Sequence, residues 1–202
     1  PGVRMVVGTL DQVDGEFDLV VMSHAIQYVR DIGGLFTQVR RLLKPDGVFF
    51  VQVPNFSLKP CSLLMGDLYY HYTPNILGNV FRNFRFSCTP VDNSWFPRDI
   101  LATGQPNGDA WEILYEDDRQ VYSTLEYING IVQKLKTLSN KESVGVLGTT
   151  IEAAFAAHCL GSQVAYFVDE NPVKMGTTFY GKAVVHPRSV AKDDLIVISL
   201  GK

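Results

Sequence analysis

Residues 17–55, FDLVVMSHAIQYVRDIGGLFTQVRRLLKPDGVFFVQVPN, restrict the fold more than any other stretch, because hydrophobic periodicity and turn chemistry agree along all of it. Asp18 to Met22 is a short, almost wholly apolar run, the pattern of a strand covered on both faces of a parallel sheet. Leu35, Val39, Leu42 and Leu43 then recur at helical spacing, with Gln38, Arg40, Arg41 and Lys44 on the opposite face. Lys44-Pro45-Asp46-Gly47 stops that helix, since proline cannot continue it and Gly47 can take the positive φ of a turn. Val48 to Val53 reads as a second buried strand. A strand, a helix of about two to three turns and another strand make a crossover whose two strands lie parallel.

At 202 residues the chain can hold one large domain or two small ones. With 46% apolar and 19% charged residues it has the composition of a soluble globular protein. A net charge of -3 without a basic cluster argues against a surface that tracks nucleic-acid phosphates. No stretch reads as a membrane span or a secretory signal. Cys61, Cys88 and Cys159 are widely separated and contain no CxxC pair, which argues against both a disulfide framework and a zinc site. They read as small buried hydrophobes in a reducing, cytoplasmic setting.

The succession of the Phe17-Asp18-Leu19-Val20 strand, the Leu42-Leu43-Lys44-Pro45-Asp46-Gly47 helix end and the Val53-Pro54-Asn55 strand end resembles the second half of a class I S-adenosylmethionine-dependent methyltransferase. A generic α/β crossover is the plainer reading. Under the resemblance, Val3 to Val7 is a preceding strand and Gly8 to Asp11 the loop that leaves it. Members of that family carry, further upstream, a Gly-rich loop for the methionine part of the cofactor and an acid for its ribose. Neither stands before Phe17, so the sequence reads as a fragment or as a form that has lost its main cofactor contacts. Charge-assisted hydrogen bonds contribute roughly 1.5–3 kcal/mol each, so S-adenosylmethionine is expected to bind weakly or not at all. The remaining cofactor-side positions implied by the resemblance are Thr9 and Leu10, near the adenine, and Ser23, His24 and Ala25. Open α/β sheets bind ligands at this carboxyl edge. Asp11 reads as a turn acid, and Tyr28 stands where relatives often carry His.

Asp67 to Pro74 resembles the segment that follows the second strand in the same enzymes, with Thr73 able to cap a helix and Pro74 at its first position. Ile76, Leu77, Val80 and Phe81 supply a buried face, and Phe84 to Ser87 the next strand. Sugar C-methyltransferases place a Glu-His pair here as a general base, and the matching positions hold Asp67 and Leu68. Asp67, His71 and Tyr72 are the implied catalytic candidates. The alternative is that His71 and Tyr72 line a buried cap.

Residues 90–116, rich in Pro, Asn, Gly and Asp, read as an irregular connection with short strands in which Trp95 and Trp111 need packing partners. Asp117 to Leu138 is a helix whose Val121, Leu125, Ile128, Val132 and Leu135 step by three and four, ended by Ser139-Asn140-Lys141. Ser143 to Leu147, Ile151 to Cys159 and Val164 to Val168 form a βαβ unit, with Leu195 to Leu200 a last buried strand. Gly145 and Gly148 lack the third glycine of a dinucleotide fingerprint, which weakens a nicotinamide reading. The run Asp169-Glu170-Asn171-Pro172, Lys174, Gly176, Gly181 and Pro187 resembles the C-terminal domain of sugar C-methyltransferases. Gly148, Asp169 and Lys174 are its implied nucleotide or substrate contacts.

The expected fold class is α/β: a partial Rossmann-like methyltransferase sheet over residues 1–115, a bridging helix over 116–141 and a small Rossmann-like domain over 142–202. The expected activity is methyl transfer to a sugar or other small molecule. The alternative is a non-catalytic module that holds a nucleotide or nucleotide-sugar. Metal, nucleic acid and membrane have no place in this reading, and an uncovered sheet edge makes self-association to a homo-oligomer the expectation.

Overall fold

A computed structural model describes residues 2–3, 5–106, 118–138 and 143–198. These fall into two compact units, one within Pro1–Lys59 and Asp67–Asp117, the other within Pro60–Gly66 and Asp118–Lys202. Both are of mixed α/β construction.

The first unit runs β1 (Phe17–Ser23), α1 (Ile32–Leu42), β2 (Leu43–Pro54), α2 (Pro74–Asn83), β3 (Thr89–Pro90) and β4 (Asp99–Gly104). Its sheet has the order β1-β2-β4-β3. β1 and β2 are parallel, as the crossover requires, and β4 runs antiparallel to β2 and β3. α1 starts where the Asp31 carboxylate accepts the Gly34 N–H at 2.9 Å, satisfying one of the donors a helix leaves open at its start. It buries Leu35, Phe36, Val39 and Leu42. The Phe36 ring lies 4.9–5.7 Å from the rings of Phe49, Phe81, Phe84 and Phe86. α2 is capped as its sequence predicts, with the Thr73 hydroxyl accepting the Ile76 N–H at 3.2 Å. Arg40, placed by periodicity on a solvated face, instead donates to the carbonyls of Phe84 and Arg85 just past α2 and lies over the Phe86 ring.

Several expectations for this unit need correction. Asp18 to Met22 is not covered on both faces: β1 ends the sheet, so Val20 and Met22 reach the core while Leu19 and Val21 stay 54% and 56% exposed. Val3 to Val7 forms no strand in its described residues, which lie open to solvent without a ladder partner. Gly47 does not take a positive φ. It is required by close approach, because a Cβ there would stand 2.8 Å from the Phe17 carbonyl oxygen. The register explains this crowding: Phe17 pairs with Leu43 but Leu19 with Val48, so Lys44 to Gly47 bulge past β1. Phe84 to Ser87 is a turn rather than a strand, with Arg85 at φ +57° and Phe86 bridging Pro106. Within 90–116, β4 is an almost fully buried strand, whereas Trp95 is 88% exposed and packs on little. Trp111 lies outside the described residues.

The second unit contains α3 (Arg119–Lys136), β5 (Val144–Leu147), α4 (Ile151–Leu160), β6 (Val164–Val168), β7 (Thr178–Phe179), β8 (Lys182–Val185) and β9 (Ile196–Ile198). The sheet order is β7-β8-β6-β5-β9, with β7 antiparallel to β8 and the other neighbours parallel. The predicted βαβ unit is therefore present in a Rossmann-like order. Gly161, at φ 59° and ψ -125°, closes α4 in a region that side-chain-bearing residues avoid.

The α3 stripe holds only in its second half: Leu135 is buried and Ile128 and Val132 are half-buried as predicted, whereas Val121 and Leu125 are exposed and Thr124, Ile131 and Leu138 also turn inward. Adjacent stripes share the 3.6-residue period, and packing against the α4 and β5 core selects one of them. The predicted helix ends at Asp117 and Ser139-Asn140-Lys141 lie outside the described residues. β9 is an edge strand with Ile198 63% exposed rather than a buried strand, and Leu200 falls beyond the described residues. Of the thiols, Cys61 is buried, Cys88 partly so and Cys159 exposed, so the three do not share one environment. No helix among the described residues is long and apolar enough to cross a membrane.

Candidate functional site

The carboxyl ends of β1 and β2 and the start of antiparallel β4 meet at one edge of the first sheet, since Ser23 registers with Gln52 and Pro54 with Asp99. The Ser23 hydroxyl donates to Gln52 Oε1 at 3.0 Å, and Gln52 Nε2 donates to Asp99 Oδ2 at 2.8 Å. Lys59 Nζ donates to Asp99 Oδ1 at 2.7 Å, and His24 Nε2 stands 3.1 Å from Asp99 Oδ2. The Asp99 side chain is only 7% exposed. Burial pushes its carboxyl up, but the hydrogen bonds from Lys59 and Gln52 and the charges of Lys59 and His24 outweigh burial and hold it below the usual carboxylate range. His24 turns the chain out of β1 at φ +49°, an uncommon conformation for a residue with a side chain. Its N–H donates to the Gln52 carbonyl at 2.9 Å.

The sequence-derived cofactor residues divide. Ser23 and His24 join this cluster directly, and the Ala25 carbonyl accepts the Tyr28 N–H in the turn that follows. Thr9 and Leu10 sit in a 3₁₀ turn held from α1, with Arg41 donating to the Leu10 and Val13 carbonyls at 2.9 Å. Among the described residues no hydrogen bond ties that turn to Asp99. Of the catalytic candidates, Asp67 is exposed. His71 is half-buried with its ring 5.0 Å from Phe56, and burial lowers its pKa, which favours the neutral ring. Tyr72 is 1% exposed in the core, where burial raises its pKa and its hydroxyl finds no partner among the described residues.

Lys59, Gln52 and Asp99 escaped sequence reading. Asp99 lay in a segment read as irregular. The signal available was an acid heading the short apolar run Ile100-Leu101-Ala102, directly after Pro97-Arg98.

In the second unit the structure brings Asp169 and Lys174 together beside the Gly148 turn. Thr149 Oγ1 donates to Asp169 Oδ2 at 2.8 Å, and Lys174 Nζ reaches Thr149 Oγ1 at 2.5 Å and Asp169 Oδ2 at 3.3 Å. The Asn171 N–H, against some burial and with help from Thr149 and Lys174, keeps the Asp169 carboxyl below its ordinary range. Gly148 leaves β5 at φ +87°, and the Thr150 hydroxyl caps α4. The Lys174 ammonium is thus engaged by an acid rather than by water alone.

A family model described as a methyltransferase domain matches residues 6–96. Among solved structures, a 1,6-didemethyltoxoflavin-N1-methyltransferase from Burkholderia thailandensis with its substrate and S-adenosylhomocysteine is 22% identical, with 52% of this chain and 51% of that chain covered and a TM-score of 0.40. An S-adenosylmethionine-dependent methyltransferase from Clostridium acetobutylicum is 15% identical, with 52% and 65% covered and a TM-score of 0.40. DhpI in complex with SAH is 18% identical, with 50% and 52% covered and a TM-score of 0.39. The chain spans about half to two thirds of the length of these three structures. No curated protein matches.

Proposed function

We propose that the first unit belongs to an S-adenosylmethionine-dependent methyltransferase acting on a small molecule, with the cofactor and acceptor meeting at the edge built by Ser23, His24, Gln52 and Asp99. The observation that carries this reading is the methyltransferase-domain match over residues 6–96, a span that includes β1, α1, β2 and α2. S-adenosylmethionine, when bound, supplies an electrophilic methyl group on a sulfonium sulfur. The edge carries no net negative charge to attract the sulfonium, since its one buried acid is paired with Lys59 and the other groups are a hydroxyl, an amide and an imidazole, so the groups it offers a ligand are hydrogen-bonding ones. Thr9, Leu10, Ser23, His24 and Ala25 are the chain's own contributions on the cofactor side. Asp67 and His71 are those on the acceptor side, while Tyr72 serves packing. A sugar is the acceptor class suggested by the resemblance at residues 67–74.

The test is nuclear magnetic resonance mapping with S-adenosylhomocysteine taken to millimolar concentration, so that a weak site registers. Shifts concentrated at Ser23–Ala25 and Thr9–Leu10 are expected. An absence of shifts at millimolar ligand would overturn the reading. If UDP-glucose instead shifts Gly148, Asp169 and Lys174 while S-adenosylhomocysteine shifts nothing, the chain is the non-catalytic nucleotide-sugar module.

A further inference from the structure

We propose that the second unit holds a binding site for an uncharged, two-ring apolar molecule with one hydrogen-bonding group, set between α3, α4 and the open edge of β9. The proposal stands apart from the methyltransferase reading, since the described residues that line the cavity all belong to the second unit.

The cavity measures about 370 Å³. An apolar cavity of about 150 Å³ already accepts benzene, and ligand pockets run from about 300 to 1,000 Å³, so a two-ring skeleton is the size this volume takes. Its walls are apolar, with Ile131 and Leu135 from α3, Phe155 and Ala156 from α4, and residues 195–198 along β9. Part of the space has its cause in the sequence of α4, IEAAFAAHCL, where Ala156, only 1% exposed, presents a single methyl group to it. Cys61, in the 3₁₀ turn Pro60–Leu64, also lines the cavity.

Charge and main-chain geometry set the polarity of the ligand. Lys134 and Glu152 both line the cavity, and among the described residues neither is in an ion pair, so one cation and one acid leave it without net charge. Side chains alternate along a strand, so Val197, packed on the core of this unit, and Ile196, over Gly145, face opposite ways. A cavity that meets both wraps onto the edge of the strand. Among the described residues β9 has a ladder partner on one side alone. The Leu195 carbonyl accepts the Gly145 N–H at 2.9 Å, so by the same alternation the main-chain groups of Ile196 and Ile198 point away from β5, to the open edge. Main-chain donors and acceptors left unpaired beside apolar walls are costly, and a hydroxyl or ring N–H on the ligand satisfies them.

The experiment uses the whole chain with 2-naphthol as the probe. In a nuclear magnetic resonance titration, shifts are expected at Ile131, Leu135, Ala156 and residues 195–198. Phenol should bind roughly tenfold more weakly or worse, because a ring's worth of buried apolar surface is missing, and the anion 2-naphthoate should bind no better than 2-naphthol. Occupancy should also slow alkylation of the buried Cys61 by N-ethylmaleimide, about tenfold at a probe concentration about ten times Kd, while the exposed Cys159 keeps its rate, both read by peptide mass spectrometry. No shifts at these residues, or an unchanged Cys61 rate in the presence of the probe, would overturn the site. Preference for 2-naphthoate would overturn the assignment of an uncharged ligand. Ala156→Trp fills the cavity and should abolish binding, and Ile131→Trp at a half-buried position makes the same test if the first variant does not fold. Binding retained in a folded, filled variant refutes the proposal, and if neither variant folds the shifts and Cys61 protection in the unsubstituted chain decide it.

Discussion

Replacing Phe36 by Ala should remove about 3–5 kcal/mol from the stability of the first unit, the usual cost of truncating a buried phenylalanine. Phe36 sits at the centre of the core, 1% exposed, and makes ring contacts with Phe49 on β2, Phe81 on α2, and Phe84 and Phe86 in the turn that follows. Each aromatic pair adds about 0.5–1.5 kcal/mol beyond its buried area. The four pairs share one ring and one cavity, so their energies do not simply sum. Phe36→Leu keeps most of the volume and loses only the ring geometry, for which about 1–1.5 kcal/mol is expected. Urea unfolding followed by circular dichroism separates the two, since an m-value of about 1–3 kcal/mol per molar turns a loss of about 3–5 kcal/mol into a midpoint shift of roughly 1–5 M. Phe36→Ala with a midpoint within about 0.5 M of the parent would refute the reasoning, because the site would then have closed around the missing ring. Equal losses for Leu and Ala would show that ring geometry, rather than filled space, holds the core.

Gly47→Ala should cost about 1–3 kcal/mol because the new methyl group meets the Phe17 carbonyl, while Gly130→Ala, within α3 with nothing inside 4 Å, should stabilise by about 0.5–1 kcal/mol; thermal midpoints decide both. Gly161→Ala should destabilise the second unit by about 1–3 kcal/mol from backbone strain, seen as a lower melting temperature that Gly176→Ala would share at φ 74°. Asp99 and Asp169 have folded-state pKa values below the ordinary 3.8, so the unfolded chain binds more protons below that pH and stability falls as the pH drops through the folded values. Acid unfolding monitored from pH 5 downward should therefore begin near pH 4, and Asp169→Asn should flatten that slope. Cys159 should react with a thiol reagent before Cys88, and Cys61 last, following their exposure; an early Cys61 reaction would contradict the burial described.

Much of this architecture is legible in the residues. The crossover from β1 to β2, the Thr73 cap and the βαβ unit were readable because each is set locally, by periodicity over a few turns or by a cap within three residues. What escaped depended on partners distant in sequence. Leu19 and Val21 carry the same composition whether β1 ends a sheet or lies inside one. The α3 stripe was ambiguous for a similar reason, since only packing chooses between adjacent faces. Gly47 was read through turn chemistry, yet the close approach of Phe17 decides its identity, and that contact exists only after β1 and β2 pair. Ser23 and His24 were found through the edge rule for α/β sheets. Asp99 and Lys59 were not, because nothing in the sequence around either one announces the other.

The order in which these pieces occur along the chain has a kinetic consequence. Ser23, His24, Gln52 and Lys59 come early, while the carboxylate on which Gln52, His24 and Lys59 converge heads β4. During synthesis the parallel pair and its helices can assemble first, with Lys59 and His24 still in water. Only when β4 slots in beside β2 does a negative charge enter that edge, and long loops close slowly. Completion of the site thus reports on completion of the first unit: a chain in which β4 has failed to dock presents the same surface groups without the carboxylate on which they converge.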